Sequence, residues 1–224
     1  MALTDNLRAY YKLEDANDST ANAYNLTNTG SVSFASAGKI GNSAGTFNTG
    51  SQRLGRTDAM GFTSTSTNTW SFWVKFTAVG GYQIDICTTS GANKRVLIYG
   101  DSANGRMIAY ANATDNIINT GNSSVTTGTW YHVVLTHNSG LFELFLNGVS
   151  KGTSSPGGTG GASNYLSYGN PGDSFGAPLN GYLDEAGVWD RVLSGTEITQ
   201  LYNSGAGLQY PFVNGYSPVA WLHA

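Results

Sequence analysis

The sequence predicts an all-β sandwich carrying one short helix near its C-terminus. Three observations point there. Only 11% of the 224 residues are charged, yet 40% are hydrophobic and 12% aromatic, so the chain can build a large core. Runs rich in β-branched and aromatic residues recur at hairpin spacing, each ended by Gly, Asn, Asp or Ser. One run is apolar on both parities, with Trp70, Phe72, Val74 and Phe76 alternating against Trp73, which calls for cover on both faces of its sheet.

In chain order the predicted strands begin with "RAYYKLE" (8–14), "TWSFWVKFT" (69–77), "YQIDICTT" (82–89) and "KRVLIYG" (94–100). They continue with "RMIAYAN" (106–112), "TWYHVVLTH" (129–137), "LFELFLNG" (141–148) and "NGYLDEAGVWDR" (180–191). Asn147-Gly148 between apolar runs is a strong hairpin signal, since both residues tolerate positive φ. Segments 154–162 and 168–181 are loops by their Gly, Pro, Ser and Asn content. Ser194 followed by Glu197 forms a capping box, Ile198, Leu201 and Tyr202 give one apolar stripe, and Gly205 is expected to end the helix. "LQYPF" (208–212) reads as a closing strand. No linker or repeat divides residues 1–212, so one sandwich is expected there, followed by a tail, 213–224. That tail is apolar, with Val219, Trp221 and Leu222 close together, and either packs back on the sandwich or docks on a second chain.

Several partner classes are excluded. A net charge of -3 with scattered Lys and Arg argues against nucleic acid. No apolar run reaches the roughly 20 residues that span a bilayer. One cysteine excludes an internal disulfide framework and a thiolate zinc site. The start lacks the pattern of a signal peptide.

Four stretches resemble the laminin G-like members of the concanavalin A-like lectin/glucanase superfamily. They are "LRAYYKLEDANDSTANAYNLTNTGSVSF", "AGKIGNSAGTFN", "TGTWYHVVLTHNSGLFELFLNGV" and "LDEAGVWDRVLSGTEITQLYNSG", and together they span residues 7–212 in order. The resemblance implies a jelly-roll β-sandwich of two curved antiparallel sheets that binds glycan or protein. It also implies a structural role for His132. Such modules work outside cells, so an extracellular or virion location is expected, with a host cell-surface polysaccharide as one partner. A decoration or fibre domain of a phage virion, acting through other virion proteins or self-association, is the alternative. A glycoside hydrolase relative is the minor one.

Catalysis is the less favoured expectation. Glycoside hydrolysis needs two carboxyls facing one bond, roughly 5 Å apart for retention or 6.5–9.5 Å for inversion. Strand alternation places Asp184 with Ala186 and Val188 and sends Glu185 to the opposite face with Gly187 and Trp189. No Gly-x-Ser-x-Gly elbow occurs. A core-facing Asp184 must be paired, hydrogen-bonded or on a metal. One expectation is therefore a calcium site built from Asp184 with Asp18 and Asn22 of the N-terminal turn, because calcium takes several oxygens in flexible geometry. The other is that Asp184 accepts backbone N–H groups or pairs with Lys12 or Arg191. Arg191 itself is expected to hold carbonyls at its corner. For glycan, the expected stacking residues are Tyr82, Tyr99, Tyr110, Tyr165 and Tyr168, with Asn112, Asp115 and Asn116 as hydroxyl partners.

Overall fold

The computed structural model describes residues 1–41, 45–58, 60, 66–87, 96–111, 114–157, 165–170 and 178–213. Two antiparallel sheets face each other as a jelly-roll sandwich. The first runs β1 (Leu7–Tyr11), β14 (Asn180–Trp189), β5 (Asn68–Ala78), β10 (Trp130–Asn138), β11 (Leu141–Leu146) and β12 (Val149–Ser154). A short β3 (Gly45–Phe47) also pairs with β14. The second sheet runs β2 (Thr27–Thr29), β4 (Arg53–Arg56), β13 (Tyr165–Tyr168) and β6 (Gly81–Cys87), then β7 (Val96–Asp101), β8 (Arg106–Ala111) and β9 (Thr114–Asn119). The long predicted strands are present. The short strands β2, β3, β4, β9, β12 and β13 had no period-2 apolar signal long enough to stand out.

Between the sheets lie Phe72, Val74, Phe76, Val133, Leu135 and Leu183 of the first, against Leu54, Ile84, Ile98, Met107, Leu166 and Tyr168 of the second. A second cluster covers the other face of the first sheet. There Tyr10, Val134, Phe145 and Trp189 pack under Leu193, Ile198 and Leu201 of α1 (Gly195–Tyr202) and under Leu208 and Phe212. The first sheet is therefore a middle layer, which explains the apolar residues of both parities in β5. Burying Ile198 and Leu201 supplies roughly 1.5–3 kcal/mol each, far more than eight residues of helix propensity would.

The capping box forms as expected, with the Ser194 hydroxyl accepting from the Glu197 N–H. Arg191 locks the corner: its guanidinium grips both Glu197 oxygens at 2.6 and 2.9 Å and donates to the carbonyls of Asp5 and Ala2. The Trp189 indole N–H donates to the Leu3 carbonyl, tying the N-terminal segment to the same face.

Three expectations are corrected. The helix ends at Tyr202 because Asn203, with φ 48°, takes the left-handed cap expected of Gly205. Residues 208–212 form no strand; a turn sets Leu208 and Phe212 onto the outer cluster as a cover, which an apolar run reads identically in sequence. Third, alternation fails in β14. Asp184 pairs with Trp73 while Gly187 pairs with Ser71, so three steps on β14 match two on β5. Glu185, at φ 50°, is the extra residue of this bulge. Leu183, Ala186 and Val188 consequently face the inter-sheet core, and Asp184 joins Glu185 on the outer face. Of the predicted tail 213–224, all beyond Val213 lies outside the described residues, as does Asn112.

Candidate functional site

The acidic pair sits on one face, but that face is sealed. Asp184 is 0% exposed and Glu185 3%. Glu185 accepts from the Tyr10 hydroxyl at 2.5 Å and from the Gln209 side-chain amide at 2.6 Å. Asp184 Oδ2 accepts the backbone N–H groups of Lys39 at 2.6 Å and Ile40 at 3.1 Å. Burial pushes the Asp184 carboxyl up to about 7 against the pull of those N–H groups. Burial, then the neighbouring Asp184, pushes Glu185 up to about 8. Two carboxyls that hold the connector at 39–40 and the segment at 209 have no room for a substrate bond between them.

A second arrangement has the look of nucleophile and base. Ser71 Oγ lies 2.8 Å from His132 Nε2. Yet His132 is 1% exposed, burial lowers its pKa to about 3, and its Nδ1 has no partner among the described residues. The imidazole packs beside Trp73 and Tyr202 at ring distances of 5.0 and 6.2 Å, and those two rings lie 5.9 Å from each other. Among the described residues no third group orients the imidazole as a nucleophile's base requires.

The expected calcium ligands do not share a centre. Asp18 receives the N–H groups of Tyr10, Thr20 and Tyr24 and the Thr20 hydroxyl, so hydrogen donors fill its lone pairs. Asn22 turns its amide N–H groups toward the carbonyls of Leu7 and Arg8. Asp184 serves the separate connector at 39–40. The other Asp184 oxygen, Oδ1, has no hydrogen-bond partner among the described residues, and among these residues no cluster of three His, Cys, Asp or Glu side chains forms.

The residues expected to bind sugar separate by parity. Tyr168 is in the core, fully buried and 5.9 Å from the Tyr11 ring, because it stands three positions from Tyr165 and so faces the opposite way. Tyr165, Tyr99 and Tyr110 are all on the outward face of the second sheet, on β13, β7 and β8. Tyr99 and Tyr165 are half-buried and Tyr110 is buried. Tyr82 stands opposite Tyr99 in register. Its side chain and that of Asp115 lie outside the described residues. Asn116, exposed at φ 51°, accepts from the Asn119 amide at the rim of β9.

The structure also assembles a row that the sequence reading missed. Lys75 on β5 pairs in register with Tyr182 on β14 and with Trp130 on β10, so all three share the outward face of the first sheet. The Lys75 ammonium lies 4.6 Å from the Tyr182 ring centre and 4.9 Å from that of Trp130. A cavity of about 380 Å³ opens beside them, lined by Lys75, Phe76, Thr77, Thr127, Gly128 and Tyr182. The signal available was a lone Lys inside the otherwise apolar run "TWSFWVKFT".

A family model described as the concanavalin A-like lectin/glucanases superfamily matches residues 45–199. Domain 4 of an extracellular arabinanase from Geobacillus stearothermophilus, solved with arabinotriose, superposes with a TM-score of 0.62 at 22% identity, covering 86% of this chain and 96% of that one. The receptor-binding domain of a botulinum neurotoxin C/D mosaic serotype gives 0.66 at 14% identity, covering 89% and 51%. A botulinum neurotoxin type C structure, whose cell entry depends on two ganglioside molecules, gives 0.65 at 17%, also covering 89% and 51%. The chain thus spans 51% of each of these two neurotoxin chains. No curated protein matches it.

Proposed function

Because the chain belongs to the concanavalin A-like lectin/glucanase superfamily, we propose that it is a carbohydrate-binding module without catalytic activity. The observation that carries this reading is the outward face of the second sheet, where the half-buried Tyr99 and Tyr165 stand on one surface with the buried Tyr110 beneath. Aromatic rings on a sheet face meet the apolar faces of pyranose rings, and nearby amides such as Asn116 serve the hydroxyls. The sealing of Asp184 and Glu185 supports the non-catalytic half of the proposal. The arabinotriose bound to the arabinanase domain and the gangliosides required by the type C neurotoxin support carbohydrate as the ligand class.

A glycan array probed with the whole chain tests it. Selective binding that Tyr99→Ala or Tyr165→Ala weakens at least tenfold, with unchanged melting temperature, is the expected result. Silence across the array from folded protein, or release of reducing sugar from any polysaccharide, would sink it.

A further inference from the structure

We propose that the first sheet carries a second ligand site, at Lys75, Trp130 and Tyr182, that takes a carboxylate-bearing sugar residue. It deepens the carbohydrate reading but occupies the opposite sheet from the tyrosine face. The argument begins with the ammonium. Lys75 makes no ion pair or hydrogen bond among the described residues; its contacts are the two rings at 4.6 and 4.9 Å. Ring faces attract the charge and fix its position, yet leave the N–H donors of the ammonium unused.

The rest of the cavity matches an anion with a ring attached. Its lining contributes the hydroxyls of Thr77, Thr127 and Tyr182 and no carboxylate. Trp130 and Tyr182 are half-buried, their ring centres 6.4 Å apart and their planes inclined by 55°; Tyr182 forms a wall of the cavity, and Trp130 holds the ammonium from beside it. A volume near 380 Å³ suits one or two sugar rings rather than a long groove-bound polymer. Phosphate fits less well. Such sites rely on several free backbone N–H groups, and here the Gly128 N–H is already given to the Phe76 carbonyl at 2.8 Å. One ammonium with hydroxyls around it is the donor set for a single carboxylate, held by a charge-assisted hydrogen bond.

Titration calorimetry with trigalacturonate and sialyl-lactose, each compared with its methyl ester, tests the site. The esters keep every ring and remove only the charge. The free acid of at least one probe is expected to bind roughly tenfold or more tightly than its ester, with an advantage that shrinks at high salt. Lys75→Gln is expected to lose that advantage, and Trp130→Ala to weaken both forms. Equal affinity of acid and ester, no binding of either acid, or an acid preference that survives Lys75→Gln would overturn the proposal. Acid binding lost in Tyr99→Ala but kept in Lys75→Gln would overturn it while leaving the carbohydrate reading standing. The acid-ester comparison uses unaltered protein, so it decides even if a variant misfolds.

Discussion

Glu185→Gln probes the sealed acid pair through pH. Folded Glu185 titrates near 8, whereas the unfolded side chain titrates near 4.5. A carboxyl raised in this way keeps its proton in the folded chain over a range where the unfolded chain has released it. Folding therefore takes up a proton, and stability falls as pH rises through that range. Asp184, raised to about 7, acts in the same direction at lower pH. His132 and His137, lowered by burial to about 3 and about 4, act oppositely but only below their ordinary range near 6.5. The interval from pH 7 to pH 8 thus weights Glu185 most, with Asp184 adding a smaller part of the same sign as it finishes titrating. Over it, a group titrating at about 8 loses about 1 kcal/mol of stabilisation, or roughly 2–4 °C in melting temperature for a chain of this size. Gln keeps one acceptor and turns the other position into a donor, which the Tyr10 hydroxyl oxygen or a flipped Gln209 amide can accept, so the variant is expected to fold and to show a clearly smaller slope there, left by Asp184. Urea unfolding at both pH values measures it. Wild-type stability that is flat or rising between them, or a slope undiminished in Glu185→Gln, would refute the reasoning.

Other perturbations test the remaining supports. Glu197→Ala leaves the Arg191 guanidinium buried without its carboxylate and should cost about 3–5 kcal/mol by urea midpoint. Glu197 is held down to about 2, so its contribution persists above pH 4.5 and is lost as pH falls toward 2, visible as an acid-side drop absent from the variant. Gly187→Ala would put a methyl 2.5 Å from the Trp189 ring and 3.1 Å from that of Tyr10, destabilising by about 1–3 kcal/mol and changing the near-ultraviolet dichroism of Trp189. Gly195→Ala meets nothing within 4 Å at the start of α1 and should stabilise slightly, by about 0.5–1 kcal/mol.

What the sequence disclosed follows its periodicities. The strands around Phe72, Val133 and Leu144 were legible because their apolar runs are long and end at turn residues. The Asn147-Gly148 turn was legible because both residues take positive φ, at 53° and 78°. The bulge was not. Nothing about Glu185 distinguishes it from an ordinary strand residue, and the left-handed region is adopted there under tertiary constraint, where glycine would have been the usual marker. That one residue inverted the expected facing of Asp184 and Leu183, while Glu185, Ala186 and Val188 stayed on the faces expected of them. The 208–212 cover was misread because an apolar stretch packed sideways on a sheet has the same composition as one hydrogen-bonded into it. Tyr168 needed only parity to be set apart from Tyr165. Lys75 needed register, because only strand pairing across β14, β5 and β10 brings its aromatic neighbours beside it.

The anchoring of residues 2–5 and of Gln209 has a practical outcome for orientation. Leu3 is hooked by Trp189, Ala2 and Asp5 by Arg191, and Gln209 by Glu185, all on the side of the molecule that the second sheet does not reach. A surface, bead or fusion partner joined before residue 1 is therefore held behind the sandwich. The tyrosine-bearing surface then points away from the attachment, free to meet whatever it recognises.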